Sequence, residues 1–112
     1  MSAPDLSRRL ELQARVGVPD GAGGLSESWE TLGVLWAAMD RRTGRETAAP
    51  GGPVGLTRWR ITVRGARVGS PARPVPGQRF REGARCFAIR AVGEADPRGR
   101  YLLCDADEEV AA

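Results

Sequence analysis

The side chains of this sequence that could do chemistry are arginines and carboxylates. All 17 basic residues are Arg, and neither Lys nor His occurs. The commonest general base, the commonest metal ligand and any Schiff-base lysine are therefore excluded. The 14 carboxylates stand in no spacing typical of a hydrolase, a phosphate-binding loop or a metalloprotease. We expect no enzyme activity, no cofactor and no metal site.

A stripe of arginines is the most regular cationic feature. Residues 58–64 alternate polar with apolar side chains, so Arg58, Arg60 and Arg64 share one face of a predicted strand. Such a face could be solvated, contact an acidic neighbouring subunit, or line a channel that carries nucleic acid. The sequence leaves these three interpretations open.

The second charged feature is a group of acidic residues near the C-terminus, Asp105, Asp107, Glu108 and Glu109. Their spacing lacks the glycine and the terminal glutamate of an EF-hand. We interpret them as a solvated acidic end or as one that docks on a basic neighbour, and we predict that residues 107–112 are frayed. Residues 41–100 carry 14 Arg and four acidic residues, whereas both flanking segments are net acidic. This distribution suits a nucleic-acid surface or head-to-tail contact between copies of the chain.

Three tryptophans could be platforms on which bases stack, because aromatic residues interleaved with Arg occur in proteins that bind single strands. In a small barrel, however, large aromatic side chains usually fill the core and use one indole hydrogen bond. We therefore predict core packing for Trp36 and Trp59, and favour it less for Trp29, which lies in a more polar stretch.

Cysteine usage and the N-terminus bear on the compartment. Cys86 and Cys104 lack CxxC spacing, and we predict two buried free thiols, with one bridge between neighbouring strands as the alternative. The N-terminus has no signal-peptide layout, and no window holds the roughly 18 consecutive apolar residues of a membrane span. We expect a soluble protein that is not exported and makes no membrane contact.

Short strands joined by turns are the elements that must position these side chains. With 15 Gly and 8 Pro, long helices are not expected. Alternation and turn signals predict strands at residues 10–18, 26–40, 58–64, 79–83, 86–92 and 100–106. The second strand is expected to bend or bulge at Gly33. The prediction is one all-β domain, residues 1–112: a small antiparallel β-barrel or sandwich of about six strands, with one long loop and at most a short helix.

The segment 41–57 is the most informative connection. It has no sustained period, and the run Pro50-Gly51-Gly52-Pro53 disfavours regular structure at its centre. A loop of this length exceeds most connections and is usually functional or disordered. We predict a long projecting loop, with no more regular structure than a short helical turn around residues 43–49.

The motifs follow one another in a distinctive order. The first half carries a Leu-x-Leu strand, a Pro-Asp-Gly-Ala-Gly-Gly turn, Trp29 seven residues before Trp36-Ala37, and Gly44-Arg45-Glu46 at the entry to the long loop. The second half carries an Arg-flanked strand at 59–64, short strands at 78–80 and 86–89, and a final hairpin at 96–102. Over residues 6–108 this order resembles the tailed-phage head–tail joining family.

The resemblance implies a head closure or stopper protein. In that family a small β-barrel assembles as a ring, typically a dodecamer, beneath the portal and adaptor and docks the tail. Similar proteins occur in gene transfer agents. The implied partners are further copies of the chain, the portal or adaptor protein on the head side, and a tail terminator or tail tube protein on the tail side. The implied location is the neck of a phage or phage-like particle assembled in the bacterial cytoplasm.

The resemblance also assigns residues to roles. The family's long loop between the second and third strands projects toward the channel or a neighbouring ring and helps to retain packaged double-stranded DNA. On this chain the assigned loop residues are Arg41, Arg42, Gly44, Arg45, Glu46, Pro50, Gly51, Gly52 and Pro53. The arginine stripe and the acidic end would serve contacts between subunits or with DNA.

A stand-alone nucleic-acid-binding barrel of the OB type is the alternative function. It is suggested by the basic middle of the chain and the three tryptophans. It predicts salt-sensitive binding of single strands by the purified monomer.

Overall fold

Six antiparallel strands close into a barrel. The computed structural model describes residues 3–49 and 52–111. Its strands are β1 (Arg8–Pro19), β2 (Leu25–Ala49), β3 (Gly52–Arg64), β4 (Arg79–Glu82), β5 (Arg85–Glu94) and β6 (Tyr101–Ala111). They neighbour one another in the order β1-β2-β3-β6-β5-β4, and β4 pairs with β1 to close the ring. The predicted all-β antiparallel fold is confirmed. In the described part of the chain, no helix is long and apolar enough to cross a membrane.

The core forms from alternate residues of the strands. On β1, Leu10 and Leu12 are fully buried, whereas Arg9, which precedes them, is exposed and Glu11, between them, is half-buried. The same alternation on the other strands builds one apolar cluster of Leu10, Leu12, Ala37, Ile61, Val63, Phe80, Phe87, Ile89, Leu102, Cys104 and Ala106. Burial of this apolar surface stabilises the barrel and leaves the outward positions to charged side chains.

Two hairpins extend beyond the barrel because β2 is 25 residues long, several times the length of an average strand. β1 pairs with β4 only as far as Gln13, so residues 14–19 of β1 and 25–30 of β2 form a two-stranded ribbon, the β1–β2 arm. At the other end of β2, residues 44–49 pair with residues 52–57 of β3 and form the β2–β3 arm. Part of this arm gains a third strand from the end of β6.

A register shift bends β2 near the position that the sequence indicated. Leu12 is paired with Gly33, but the next residue, Gln13, is paired with Thr31. Leu32 is therefore an extra residue on β2, as in a β-bulge. The bulge lies beside Gly33, where the bend was predicted.

The predicted loop at 41–57 and its helical turn at 43–49 are wrong for the residues described. Both flanks are strand, and they pair from Gly44 with Thr57 to Ala49 with Gly52. Pro53 is tolerated because it is the second residue of β3, close to the end of this ladder. A ribbon outside the barrel has no core face to fill, so it needs no apolar alternation, and the sequence pattern gave no strand signal.

The predicted frayed tail at 107–112 is also wrong over the described residues. β6 continues to Ala111 and pairs with β3 as far as Val54. Backbone pairing with the long strand β3, together with ion pairs of the acidic side chains, holds this end in the sheet.

The connection between β3 and β4, residues 65–78, packs against the β5–β6 turn. The Gly65 N–H donates a hydrogen bond of 2.7 Å to the Arg100 carbonyl. A Cβ atom on residue 65 would lie 2.1 Å from the Gly99 carbonyl oxygen. This close approach of two backbones therefore requires glycine at position 65.

Candidate functional site

The base of the β2–β3 arm holds the first two arginines that the sequence assigned to a projecting loop. Arg41 and Arg42 are both exposed. The Arg42 guanidinium lies 3.2 Å from the Asp40 carboxylate. A register shift between Arg41 and Gly44 places two residues of β2 opposite one residue of β3, and the arm begins beyond it.

The other assigned residues follow along the arm. The backbones of Gly44, Arg45 and Glu46 pair with those of Thr57, Leu56 and Gly55, and Pro53 and Gly52 pair with Ala48 and Ala49. Pro50 and Gly51 lie outside the described residues. The structure therefore brings the assigned set together on one ribbon, as far as it describes them.

The arginine stripe and the acidic end are cross-strand neighbours within one chain. Arg58 is paired in register with Asp107, and Arg60 with Asp105. Their guanidinium Nε atoms lie 3.9 and 3.6 Å from the respective carboxylate oxygens. These arginines thus meet acidic partners inside the chain, and exposed pairs of this kind stabilise by about 1 kcal/mol or less.

Asp107 connects three strands. Its side chain, 13% exposed, also accepts a hydrogen bond of 3.0 Å from Nη1 of Arg90 on β5. Arg64 and Glu109, by contrast, are exposed, and neither forms an ion pair with a charged side chain that the structure describes. Two members of the predicted contact set therefore remain available to a partner.

Glu108 is a buried carboxylate, 7% exposed, at the end of the barrel where β5 begins. Arg85 donates two hydrogen bonds to it, from Nε at 2.7 Å and Nη2 at 3.0 Å. The Trp59 indole N–H donates a third, at 3.1 Å. The Arg85 guanidinium lies 5.7 Å from the Trp59 ring and 5.1 Å from the Phe87 ring. These contacts compensate the burial of the charge.

The Glu108 contacts belong to a longer chain of charges. Nη1 of Arg85 lies 3.6 Å from Glu82, and Nε of Arg8 donates a hydrogen bond of 2.8 Å to the same carboxylate. The Arg85 hydrogen bonds hold the pKa of Glu108 below its ordinary value, and the Arg8 hydrogen bonds lower the pKa of Glu82. The network joins β1, the β4–β5 turn, β3 and β6, so we assign it a structural role.

The three tryptophans have three different environments. Trp59 packs edge-on against Phe87, with ring centroids 6.1 Å apart, which confirms its predicted core position. Trp36 is 54% exposed on the outer side of β2, so its predicted core packing is wrong. Trp29 is half-buried, with the guanidinium groups of Arg15 and Arg79 at 5.2 and 4.1 Å from its ring.

A groove of about 1050 Å³ is lined by both arms. Arg15 and Trp29 line it from the β1–β2 arm, and Leu56 lines it from the β2–β3 arm. Arg90 and Asp107 lie along it on the barrel. The lining carries both signs of charge and is suited to contact with a protein surface.

The two cysteines and the carboxylates are the remaining side chains with reactive or metal-binding potential. Cys86 and Cys104 are free thiols, half-buried and buried respectively. Burial raises the pKa of Cys104 to about 12, which keeps the thiol protonated and unreactive near neutral pH. Within residues 3–49 and 52–111, no group of three His, Cys, Asp or Glu side chains is placed to hold a metal ion.

The Glu108 network is the part of the site that sequence reasoning missed. One signal was present: Leu102, Cys104 and Ala106 alternate on the buried face of β6, and Glu108 is the next residue in that series. A second signal was Trp59, whose indole N–H needs an acceptor when the ring is buried. Without knowledge of the strand that pairs with it, however, an acidic run at the end of a chain is most simply interpreted as exposed to solvent.

Comparison with known proteins gives a family match and a similar solved structure. The model of the family described as phage head completion protein matches residues 1–109. Among solved structures, a chain from the virion of a native gene transfer agent particle is similar, with a TM-score of 0.88 and 46% sequence identity. That match covers 98% of this chain and 100% of the other. No curated protein matches this chain.

Proposed function

The chain belongs to the phage head completion protein family, and on this basis we propose that it is a subunit of the ring that closes the DNA-filled head and joins it to the tail. Family membership gives the chain a structural role in the head of a phage-like particle. The similarity to a gene transfer agent virion chain supports a place in such a particle. The proposal adds the position in the neck, between the portal or adaptor protein and the tail terminator or tail tube protein.

The pair of arms is the observation that carries the proposal. β2 runs from the β1–β2 arm through the barrel to the β2–β3 arm. The molecule measures 52 by 33 by 22 Å, so it is elongated. A barrel with an arm at each end of one strand can contact neighbours through two different surfaces. A closed ring with heterologous interfaces requires two such surfaces on each copy.

Retention of DNA is assigned to the β2–β3 arm. Arg41 is exposed at its base and forms no ion pair with the side chains described, and Arg45 follows on the arm. If the arm points toward the ring axis, every copy brings these arginines to the channel. Arginine binds phosphate oxygens through charge-assisted hydrogen bonds, so the repeated charges would hold the packaged duplex.

Shortening the arm tests this assignment. Gly44 and Thr57 are backbone partners, so replacing residues 45–56 with Asn-Gly joins them by a two-residue hairpin turn. We expect the barrel to fold and the particles to leak DNA or to lack tails. Particles with normal DNA content and normal tails would contradict the assignment.

A second variant separates charge from length. The substitutions Arg41→Ala, Arg42→Ala and Arg45→Ala keep the arm and remove its cations. We expect DNA loss with tails still attached, because joining to the tail depends on the arm's backbone and retention on its charge. Arg98→Ala, an exposed arginine on the β5–β6 turn, is the control and should leave both properties unchanged.

The stand-alone single-strand-binding barrel is less well supported by the geometry. Such proteins stack successive bases on several aromatic rings, whereas Trp29 and Trp59 already contact arginine side chains. Trp36 is the exposed ring among the three. Tight, salt-sensitive binding of single-stranded DNA by the purified monomer would favour this alternative over the ring.

A further inference from the structure

An apolar stripe on β1 runs out of the barrel along the β1–β2 arm. Leu10 and Leu12 are fully buried, Ala14 and Val16 are half-buried, and Val18 is 45% exposed. Exposure thus rises steadily along residues that share one face of the strand. The stripe continues beyond the part of the barrel that can cover it.

The tip of the same arm adds a second exposed apolar side chain. Leu25, the first residue of β2, is 71% exposed. Beyond Gln13 the arm consists of two strands, and an isolated two-stranded hairpin is marginally stable in water. An arm of this kind gains stability when its apolar side chains pack against another surface.

A matching surface lies on the outer side of the barrel. Val34 and Trp36 are 40% and 54% exposed, and their cross-strand partners are Glu11 and Arg9. We call the outer surface around these four residues the Trp36 face. Tryptophan and arginine, here the neighbours Trp36 and Arg9, are enriched at the energetic centres of protein interfaces.

An apolar pocket of about 250 Å³ adjoins the Trp36 face. Val34 lines both, and the pocket is completed by Leu32, Leu35 and Pro71, among others. An aliphatic side chain from another molecule, such as Leu25, can enter it.

Charge also favours contact between the two surfaces. The arm and its turn, residues 14–30, carry the acidic residues Asp20, Glu27 and Glu30 and a single Arg. On the Trp36 face the charges of Arg9 and Glu11 offset each other, and the exposed Arg64 at the adjoining end of β3 gives the rim a net positive charge. A net acidic arm and a basic rim attract each other and orient the contact.

We propose that the β1–β2 arm of one copy packs on the Trp36 face of the next copy, with Leu25 in the apolar pocket. Leu25 and Val34 are nine positions apart on β2, up to about 30 Å at strand spacing, and both are exposed in one copy. The contact is therefore between copies, and it uses a different patch on each, so it can close a ring. The inference rests on the proposed function and names the interface of that ring.

Cross-linking in assembled particles tests the interface. The Leu25→Cys/Val34→Cys double variant is treated with a short bis-maleimide in particles purified from the host. We expect a ladder of covalent multimers, because each copy links to the next. The parent chain controls for Cys86 and Cys104. A Leu25→Cys/Ala91→Cys variant, with its second thiol on the exposed outer side of β5, should give no ladder.

The outcomes separate the interface from the function. If the protein is present in the neck but the Val34 variant gives no more multimers than the Ala91 variant, the interface is overturned and the ring proposal stands. If the protein is absent from the neck, both proposals fail.

A second variant measures the energetic weight of Trp36. Trp36→Ser should reduce incorporation into particles about tenfold or more, as expected for a central interface tryptophan. Its melting temperature as a purified monomer should stay close to that of the parent, because the side chain lies outside the core. Val75→Ser, which removes another half-exposed apolar side chain, is the control. Equal incorporation of both variants would overturn the assignment.

Discussion

Glu108 is the residue on which the end of the barrel depends. It is buried, it accepts hydrogen bonds from Arg85 and Trp59, and it links β6 to β3 and β5. Asp105, three residues earlier on the same strand, is 59% exposed and has one ion pair, of 3.6 Å, to Arg60. Two carboxylates of one strand therefore differ mainly in burial and in hydrogen bonding.

We predict that Glu108→Gln destabilises the folded chain by about 2 kcal/mol, because it removes the charge of a buried carboxylate that accepts two Arg85 hydrogen bonds and leaves Arg85 with Glu82 as its remaining acidic partner. Asp105→Asn is the matched control and should change stability by about 0.5 kcal/mol or less, since solvent screens the exposed pair. Urea unfolding of both variants measures the difference. Equal effects would show that the network adds nothing beyond an exposed ion pair.

The same network predicts how stability depends on pH. The pKa values of Glu82 and Glu108 lie below the ordinary 4.5 in the folded chain. Their contribution is therefore complete above about pH 4.5 and is lost as the pH falls through the lowered folded pKa values. Thermal melts from pH 7 to pH 3 should show a steep acid decline in the parent and a shallower one in Glu108→Gln. Parallel declines would contradict the assignment.

Trp36 shows why some side chains could not be placed from the sequence. Around it, Val34 and Ala38 alternate with Leu35 and Ala37, so both faces of β2 are apolar. Alternation then shows which residues share a face, but not which face is inside. The barrel buries Ala37 completely and leaves Trp36 outside. On β3, where one face is largely polar, alternation separates the arginines from the buried Ile61 and Val63.

At the scale of elements, the strands of the barrel were predictable and the arms were not. The barrel strands must fill a core, so every second residue on them is apolar, as Ile61 and Val63 are on β3. The β2–β3 arm is held by backbone hydrogen bonds, which every residue except proline can make. Its sequence therefore resembles that of a loop, although its residues are extended.

Gly65 gives a prediction at the scale of an element contact. Gly65→Ala places a Cβ atom against the Gly99 carbonyl, at 2.1 Å without relaxation, so the β3 end and the β5–β6 turn must separate. We expect a loss of at least about 2 kcal/mol of stability, typical of overpacking. Gly93→Ala on β5 is the control, because its Cβ meets nothing within 4 Å. Equal melting temperatures for the two variants would contradict this contact.

For the whole molecule, the arms make the chain larger than a compact domain of its length. The Cα radius of gyration is 15.5 Å, whereas a compact chain of 112 residues would have about 13 Å. Small-angle X-ray scattering of the monomer should give a radius at or above the larger value. The variant shortened by Asn-Gly at residues 45–56 should give a clearly smaller one. A parent radius near 13 Å would mean that the arms fold back onto the barrel.

In the whole molecule, fewer charged side chains are available for contacts between copies than the charge distribution along the sequence indicates. The basic middle and the acidic end meet within the chain, as the Arg58 and Arg60 ion pairs show. The segment charges can be counted in the sequence, but the pairing of β3 with β6 that neutralises them cannot be predicted from it. Contacts between copies must therefore rely on apolar side chains and on the charges that remain free.

Electron cryomicroscopy of the neck of intact particles tests the central claim most directly. We predict a closed ring of copies between the portal or adaptor and the tail, with one barrel per subunit and the β2–β3 arms directed toward the channel. A neck whose density does not accommodate this barrel, or a location of the chain elsewhere in the particle, would contradict the claim.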